Sequence, residues 1–201
     1  MKALVTGASS GIGLEISKYL DSIGYEIILV ARDKEKLESV AKTLTHKPKI
    51  IVMDLQQVED IKSLYVLVKN DDIDILVNNA GFGLFGNFTE TDLSKELNMI
   101  DINIKAVHIL TKLFLKDMKR KNKGYILNVA SSAAFQSGPL MATYYSTKSY
   151  VYRLTEAINY ENKKDKVNVQ VSCLCPGPVD TNFNKVAGVR FSVKPLKADY
   201  V

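Results

Sequence analysis

The sequence predicts an α/β protein: about six strands in a doubly wound parallel sheet, with helices on both faces. Three observations predict it. Short runs rich in Val and Ile alternate with longer stretches whose apolar residues recur at spacings of three and four. The short runs are apolar almost throughout, as strands buried on both faces must be. Parallel strands need a crossover at every return, and the intervening helical stretches supply one each time. The length of 201 residues, with 46% apolar and 24% charged, suffices for one sizeable core, so a single domain over residues 1–201 is expected.

In chain order, Ala3–Val5 opens the sheet and runs into Thr6-Gly7-Ala8-Ser9-Ser10-Gly11-Ile12-Gly13, after which Gly13–Ile23 has helical spacing. Glycines let the backbone turn sharply and approach a pyrophosphate, and free N–H groups at a helix start favour an anion. A merely structural strand-to-helix turn is the plainer alternative. Ile27–Val30 ends in Ala31-Arg32-Asp33 before the helical Glu35–Leu44; Ile50–Met53 leads to Asp54-Leu55 and the helix Val58–Lys69; Ile75–Val77 leads to Asn78-Asn79-Ala80-Gly81. The long stretch Leu93–Met118 carries Asn103 inside an apolar run, where an amide is costly without partners. It ends in the basic Lys116–Lys123 and Gly124, which reads as cations meeting the negative end of a helix dipole with Gly ending the helix. Tyr125–Val129 precedes Ser131 and Ser132; Tyr144–Glu161 is the last long helix; Val167–Leu174 is the last strand, followed by Pro176–Thr181.

The net charge of +5, from 27 basic and 22 acidic residues, is spread along the chain, so no concentrated motif for nucleic acid is present. The start MKALVTG is already strand-like and no apolar run approaches the ~20 residues a membrane span needs, so a soluble cytoplasmic protein without a leader is expected. Cys173 and Cys175 are expected to be buried reduced thiols on one face of a strand, badly placed to bridge each other; His46 and His108 lie in unrelated segments, so no metal site is expected.

A tyrosine can serve as acid and base in carbonyl and alcohol chemistry if a nearby cation favours its phenolate, and a lysine four positions later on a helix supplies that field. Tyr-x-x-x-Lys occurs three times, at Tyr65/Lys69, Tyr144/Lys148 and Tyr160/Lys164. Only Tyr144/Lys148 opens the helix after the fifth strand, where ligands bind in such sheets. Tyr145 has Ser149 at the required spacing and is set aside.

Together these motifs resemble the short-chain dehydrogenase/reductase superfamily. Thr6–Gly13 matches its T-G-x-x-x-G-x-G, Asn78–Gly81 its N-N-A-G, Tyr144/Lys148 its Y-x-x-x-K and Pro176–Thr181 its P-G-x-x-x-T. The resemblance implies a Rossmann fold and a nicotinamide cofactor held by Gly7, Ser9, Ser10, Gly11, Ile12, Gly13, Asp54, Leu55, Asn79, Ala80, Gly81, Pro176, Gly177 and Thr181, with Tyr144 and Lys148 shared with catalysis. Ser131, three beyond Asn128 and thirteen before Tyr144, matches the catalytic serine, with Ser132 as the rival; Asn103 matches the fourth catalytic residue. Ala31 stands where NAD enzymes of the family carry Asp and Arg32 follows, so NADP(H) is expected over NAD(H), unless Asp33 turns inward. Arg32 as a surface residue that merely begins the next helix is the alternative.

The expected reaction is hydride transfer between nicotinamide and a carbonyl or alcohol, with reduction favoured. Phe82, Leu84, Phe85, Phe88, Phe135, Leu140, Met141 and Phe183 suggest an apolar substrate pocket, with a lid-like segment near residues 178–195 running through Phe191. The alternative is a catalytically silent NADP(H)-binding regulator or scaffold. The family implies a homodimer or homotetramer through the two long helices. The resemblance stops before the family's usual end, which predicts an edge at the sixth strand with an uncovered apolar face, and either a shortened version of a longer protein or a partner covering that edge.

Overall fold

The computed structural model describes residues 1–189 and 193–201. Strands β1 (Lys2–Thr6), β2 (Glu26–Ala31), β3 (Lys49–Val52), β4 (Ile75–Asn78), β5 (Gly124–Val129) and β6 (Val169–Leu174) form one parallel sheet in the order β3-β2-β1-β4-β5-β6. The chain winds outward from β1 to β3, crosses back to β4 beside β1, and winds out the other way. That reversal opens a crevice at the carboxyl ends of β1 and β4, where a doubly wound sheet takes its ligand.

Period-two alternation sends neighbouring residues of each strand to opposite faces. Leu4, Ile28, Leu76 and Ile126 pack on one face against helices α3 (Val58–Val68) and α5 (Val107–Lys121). Ala3, Val5, Leu29 and Val77 pack on the other with Leu20 of α1 (Gly11–Ser22) and Leu37 of α2 (Lys34–Ala41). Helices α4 (Leu93–Ile100) and α6 (Ala142–Lys164) frame the site described below.

The expected helix Leu93–Met118 is not continuous: a π-helical turn, Asp101–Ala106, separates α4 from α5. The helix cap also falls two residues before the expected glycine. Asn122 takes the left-handed cap, with φ 48°, while Gly124 begins β5. Asn tolerates that region because its short amide bonds locally, and here its Oδ1 accepts the Asn168 N–H at 2.7 Å. The cations of this end meet acids, Lys119 with Asp165, Arg120 with Asp117, Lys121 with Asp72 and Lys123 with Asp74.

Among the described residues β6 pairs with β5 alone, yet its apolar face is not uncovered as expected. Val169 and Val171 are buried with Phe114 and Met118 because α5 already reaches over that face. Cys173 and Cys175 are half-buried and not fully buried as expected, and their sulfurs stand 3.8 Å apart. Beyond β6, strands β7 (Val179–Asp180) and β8 (Leu196–Lys197) pair in parallel around α7 (Asn182–Ala187). Phe191, part of the expected lid, lies outside the described residues. No described helix is long and apolar enough to cross a membrane.

Candidate active site

The crevice is built by stitching the ends of β1 and β4 together. Thr6 Oγ1 donates to the Val77 carbonyl at 3.1 Å and accepts the N–H groups of Asn79 and Ala80 at 3.0 and 3.1 Å. Asn79 Nδ2 donates to the carbonyls of Thr6 and Gly7 at 3.0 and 3.2 Å. Gly7 has φ +64°, and a Cβ on it would lie 2.9 Å from Ala80 Cα, so only glycine closes this turn. A Cβ on Gly13 would lie 2.5 Å from the Gly7 carbonyl oxygen. Ser9, Ser10, Gly11 and Ile12 remain half-exposed along the turn, and Ser10 holds the N-cap position of α1 without a side-chain capping bond. The loop Pro176–Thr181 passes over it: a Cβ on Gly11 would meet Thr181 Cγ2 at 2.9 Å. A side-chain-free cradle at a helix start under a covering loop fits a pyrophosphate.

Arg32 is exposed at the end of β2, its Nη1 4.0 Å from Asp54 Oδ2. Asp33 faces the helix: its Oδ1 accepts the Lys36 N–H at 3.0 Å and Lys36 Nζ lies 2.7 Å from Oδ2. The Lys36 side chain, then its N–H, holds the Asp33 carboxyl below the usual carboxylate range. The side chain of Leu55 is buried in the core.

At the carboxyl end of β5 four expected residues converge. Lys148 Nζ is buried, donates to the Val129 carbonyl at 2.9 Å and sits 5.8 Å from the centre of the Tyr144 ring. The Ser131 hydroxyl accepts the Ala133 N–H at 3.2 Å and donates to the Pro176 carbonyl at 3.4 Å, and it is close enough to Tyr144 to act against the rise of the phenol's pKa. Ser132, the rival, donates its N–H to Pro176 O at 2.9 Å. Asn103, in the π-helical turn, accepts the Phe82 N–H at 3.1 Å and donates to the Phe82 carbonyl at 2.9 Å and to Thr147 Oγ1 at 3.1 Å. Thr147 in turn donates to the Tyr144 carbonyl at 2.7 Å. Gly81 closes the group, since a Cβ there would lie 2.7 Å from Asn103 Oδ1 and 3.7 Å from Lys148 Nζ.

The electrostatics differ from the sequence expectation. Burial pushes the Tyr144 phenol up to about 12, against the opposing Ser131 bond, and pushes the Lys148 amine down to about 8. Desolvation dominates at Tyr144, so the phenol rests protonated. The other two Tyr-x-x-x-Lys pairs lie elsewhere: Tyr65 donates to Asp117 at 2.6 Å and Tyr160 is exposed.

Of the expected pocket residues, Phe82, Leu84, Met141 and Phe183 gather around Tyr144, with the Phe183 ring 5.1 Å away. Phe135 does not. It packs edge-on to Tyr152 at 4.7 Å, because the short helical turn Ser132–Phe135 carries it outward. Phe85, Phe88 and Leu140 are partly exposed at the rim.

Sequence reasoning missed three features. Glu96 is buried and accepts hydroxyls from Thr91 and, at 3.1 Å, Thr143, tying the rim loop to the start of α6. Asn78, Asn128, Thr111 and Thr155 form a buried polar chain across β4, β5, α5 and α6. Thr147 links Asn103 to α6. Lone hydroxyls and amides inside helical patterns carry no spacing signal that could have found them.

The sequence model of the short chain dehydrogenase family matches residues 1–189. An uncharacterized oxidoreductase of Staphylococcus saprophyticus subsp. saprophyticus is 35% identical over 185 residues, covering 89% of this chain and 78% of that protein. Among solved structures, a short-chain dehydrogenase from Sphingobium yanoikuyae in complex with NADPH superposes with a TM-score of 0.92 at 26% identity, over 99% of this chain and 80% of that one. An alcohol dehydrogenase from the archaeon Thermococcus sibiricus, complexed with 5-hydroxy-NADP, gives 0.86 at 32% identity, over 99% and 86%. With the family's sequence model spanning nearly the whole described sheet and its folds superposing over the full length, the chain belongs to the short-chain dehydrogenase/reductase family and is an oxidoreductase of that family.

Proposed function

We propose that this chain is an NADP(H)-dependent oxidoreductase, one catalytic domain with a lid over residues 178–195, that reduces the carbonyl of a small to medium apolar substrate. The observation that carries the reading is the convergence of Ser131, Tyr144, Lys148 and Asn103 beside a glycine cradle at one sheet edge. The cofactor would lie with its pyrophosphate on Gly7, Ser9, Ser10, Gly11, Ile12 and Gly13, its adenine at Asp54 and Leu55, and its nicotinamide end between Asn79, Ala80, Gly81 and the Pro176, Gly177, Thr181 loop. It supplies the hydride.

Tyr144, protonated through burial, gives its hydroxyl proton to the oxygen that becomes an alcohol. Ser131 donates to the same oxygen as charge develops there. Lys148 in its cationic form stabilises the phenolate left behind, and Asn103 holds the Phe82 loop and, through Thr147, the start of α6. Met99, Met141, Leu84 and Phe183 exclude water around Tyr144. Selection of NADP(H) over NAD(H) rests on Arg32, exposed and only loosely paired with Asp54 at 4.0 Å, and on Asp33, turned to cap α2.

The test is NADPH oxidation with a panel of aldehydes and ketones. Tyr144→Phe should lower kcat roughly 10²–10⁴-fold while NADPH still binds. Tyr65→Phe and Tyr160→Phe should turn over normally. Cofactor binding without turnover in the unmutated protein would make it a silent NADP(H)-binding regulator instead.

A further inference from the structure

We infer that Cys173 and Cys175 form a redox-active dithiol behind the active site, which a hydroperoxide closes to an intramolecular disulfide, displacing the loop that holds Ser131. The two sulfurs stand 3.8 Å apart, both half-buried, where β6 gives way to that loop. Side chains two apart on a strand share one face, and two rises of about 3.3 Å place the Cα atoms at the upper end of the roughly 4.4–6.8 Å a disulfide spans. Closing the sulfurs to about 2 Å therefore draws Cys175 toward Cys173. Cys175 lies one residue beyond Leu174, the last residue of β6, so it moves without breaking the strand ladder.

The next residue is Pro176, whose carbonyl accepts the Ser132 N–H at 2.9 Å and faces the Ser131 hydroxyl at 3.4 Å. Pulling Cys175 moves that carbonyl, and with it the serine beside Tyr144. On the other side the pair is gripped by α6. Val151 of that helix packs in the same small cluster as both cysteines. Burial, reinforced by the neighbouring sulfur, pushes the Cys173 thiol up to about 12; Cys175, beyond the last residue of β6, is the one placed to react first.

Its thiolate attacks a peroxide oxygen; the O–O bond breaks and hydroxide leaves, taking the thiol proton to become water. The Cys173 thiol then attacks the sulfur of the resulting sulfenic acid, forming S–S and breaking S–O, and its proton leaves with the departing hydroxide as a second water. Two thiols and one hydroperoxide thus become a disulfide, water and, for an organic hydroperoxide, its alcohol.

The effect on turnover rests on the oxidoreductase reading; the disulfide and the loop movement do not. In the test, the reduced full chain is treated with hydrogen peroxide, free thiols are alkylated after denaturation, and intact mass is measured without reductant. The expected result is a single chain lacking two hydrogens and carrying no alkyl group, with faster amide hydrogen exchange over residues 130–136 and 175–181. Carbonyl turnover should fall tenfold or more, on the order of what a misplacement near 1 Å costs, and dithiothreitol should restore it. Cys173→Ser should stop at a Cys175 sulfenic acid that dimedone traps, with exchange and reduced-state activity unchanged. Two alkylated thiols, a disulfide only between chains, or an intramolecular disulfide with unaltered exchange would each overturn the inference. If mass and exchange change as expected but the reduced protein turns over no carbonyl, the redox site stands and the oxidoreductase reading fails.

Discussion

Arg32 and Asp33 stand side by side at the end of β2 and do different work. The carboxylate caps α2 through Lys36, while the guanidinium is exposed with only Asp54, at 4.0 Å, nearby. Arg32→Ala should therefore raise the KM for NADPH and leave that for NADH little changed; a charge-assisted contact of about 1.5–3 kcal/mol corresponds to roughly tenfold to a hundredfold. Equal use of both cofactors by the unmutated protein would refute the assignment. Lys148 sets a second residue-scale expectation. Burial lowers its amine to about 8, so it is cationic below that pH and neutral above it. Carbonyl reduction should stay level on the acid side of 8 and decline on the alkaline side, whereas Tyr144, held up near 12, adds no limb in the working range. A profile of kcat/KM, taken with saturating NADPH, that remains flat to about pH 10 would contradict the role given to the lysine charge.

At the scale of elements, the interruption between α4 and α5 is a device for placing Asn103. A π-helical turn rotates the following residues out of ordinary register, and here it turns an amide toward the Phe82 backbone and Thr147. The far end of α5 depends on Asn122, which holds the left-handed conformation and binds the start of β6 through Asn168. Asn122→Gly loses only the side-chain bond, about 1 kcal/mol, whereas Asn122→Ala adds a left-handed penalty of roughly 1–2 kcal/mol. Denaturant unfolding should rank wild type above Gly and Gly above Ala. Equal stability of the two variants would show that the conformation at this cap costs nothing.

For the whole molecule, the crevice follows from the order of the strands, because only the reversal beside β1 leaves the ends of β1 and β4 free of a crossing helix. The outer faces of α4 and α6 carry exposed Leu93, Leu97 and Tyr150, and the Tyr150 hydroxyl meets His108 Nδ1 at 2.7 Å across α5 and α6. We expect these faces to pair two copies, as a homodimer or as half of a homotetramer. Sedimentation at micromolar concentration should give at least a dimer, and Leu97→Glu should shift it to monomer. A monomeric wild type would leave these side chains as ordinary exposed surface.

The sequence by itself determined the six strands, the order of helices between them and the loops that follow β1, β4, β5 and β6, because apolar period and glycine turns record burial and backbone demands locally. It also singled out Tyr144 among three Tyr-x-x-x-Lys pairs, since position after a strand is a one-dimensional property. The tertiary structure alone decided the rest. Where Phe135 packs, what Asn103 binds from its π-helical turn and that Asn122 and not Gly124 ends α5 depend on partners distant in the chain, while the orientation of Asp33 and the approach of two half-buried sulfurs depend on local side-chain directions that spacing does not record. The phenol and the amine show the same division. Their types and spacing were legible, but their acidities were not, because desolvation is set by how completely the sheet, α6 and the loops close around them.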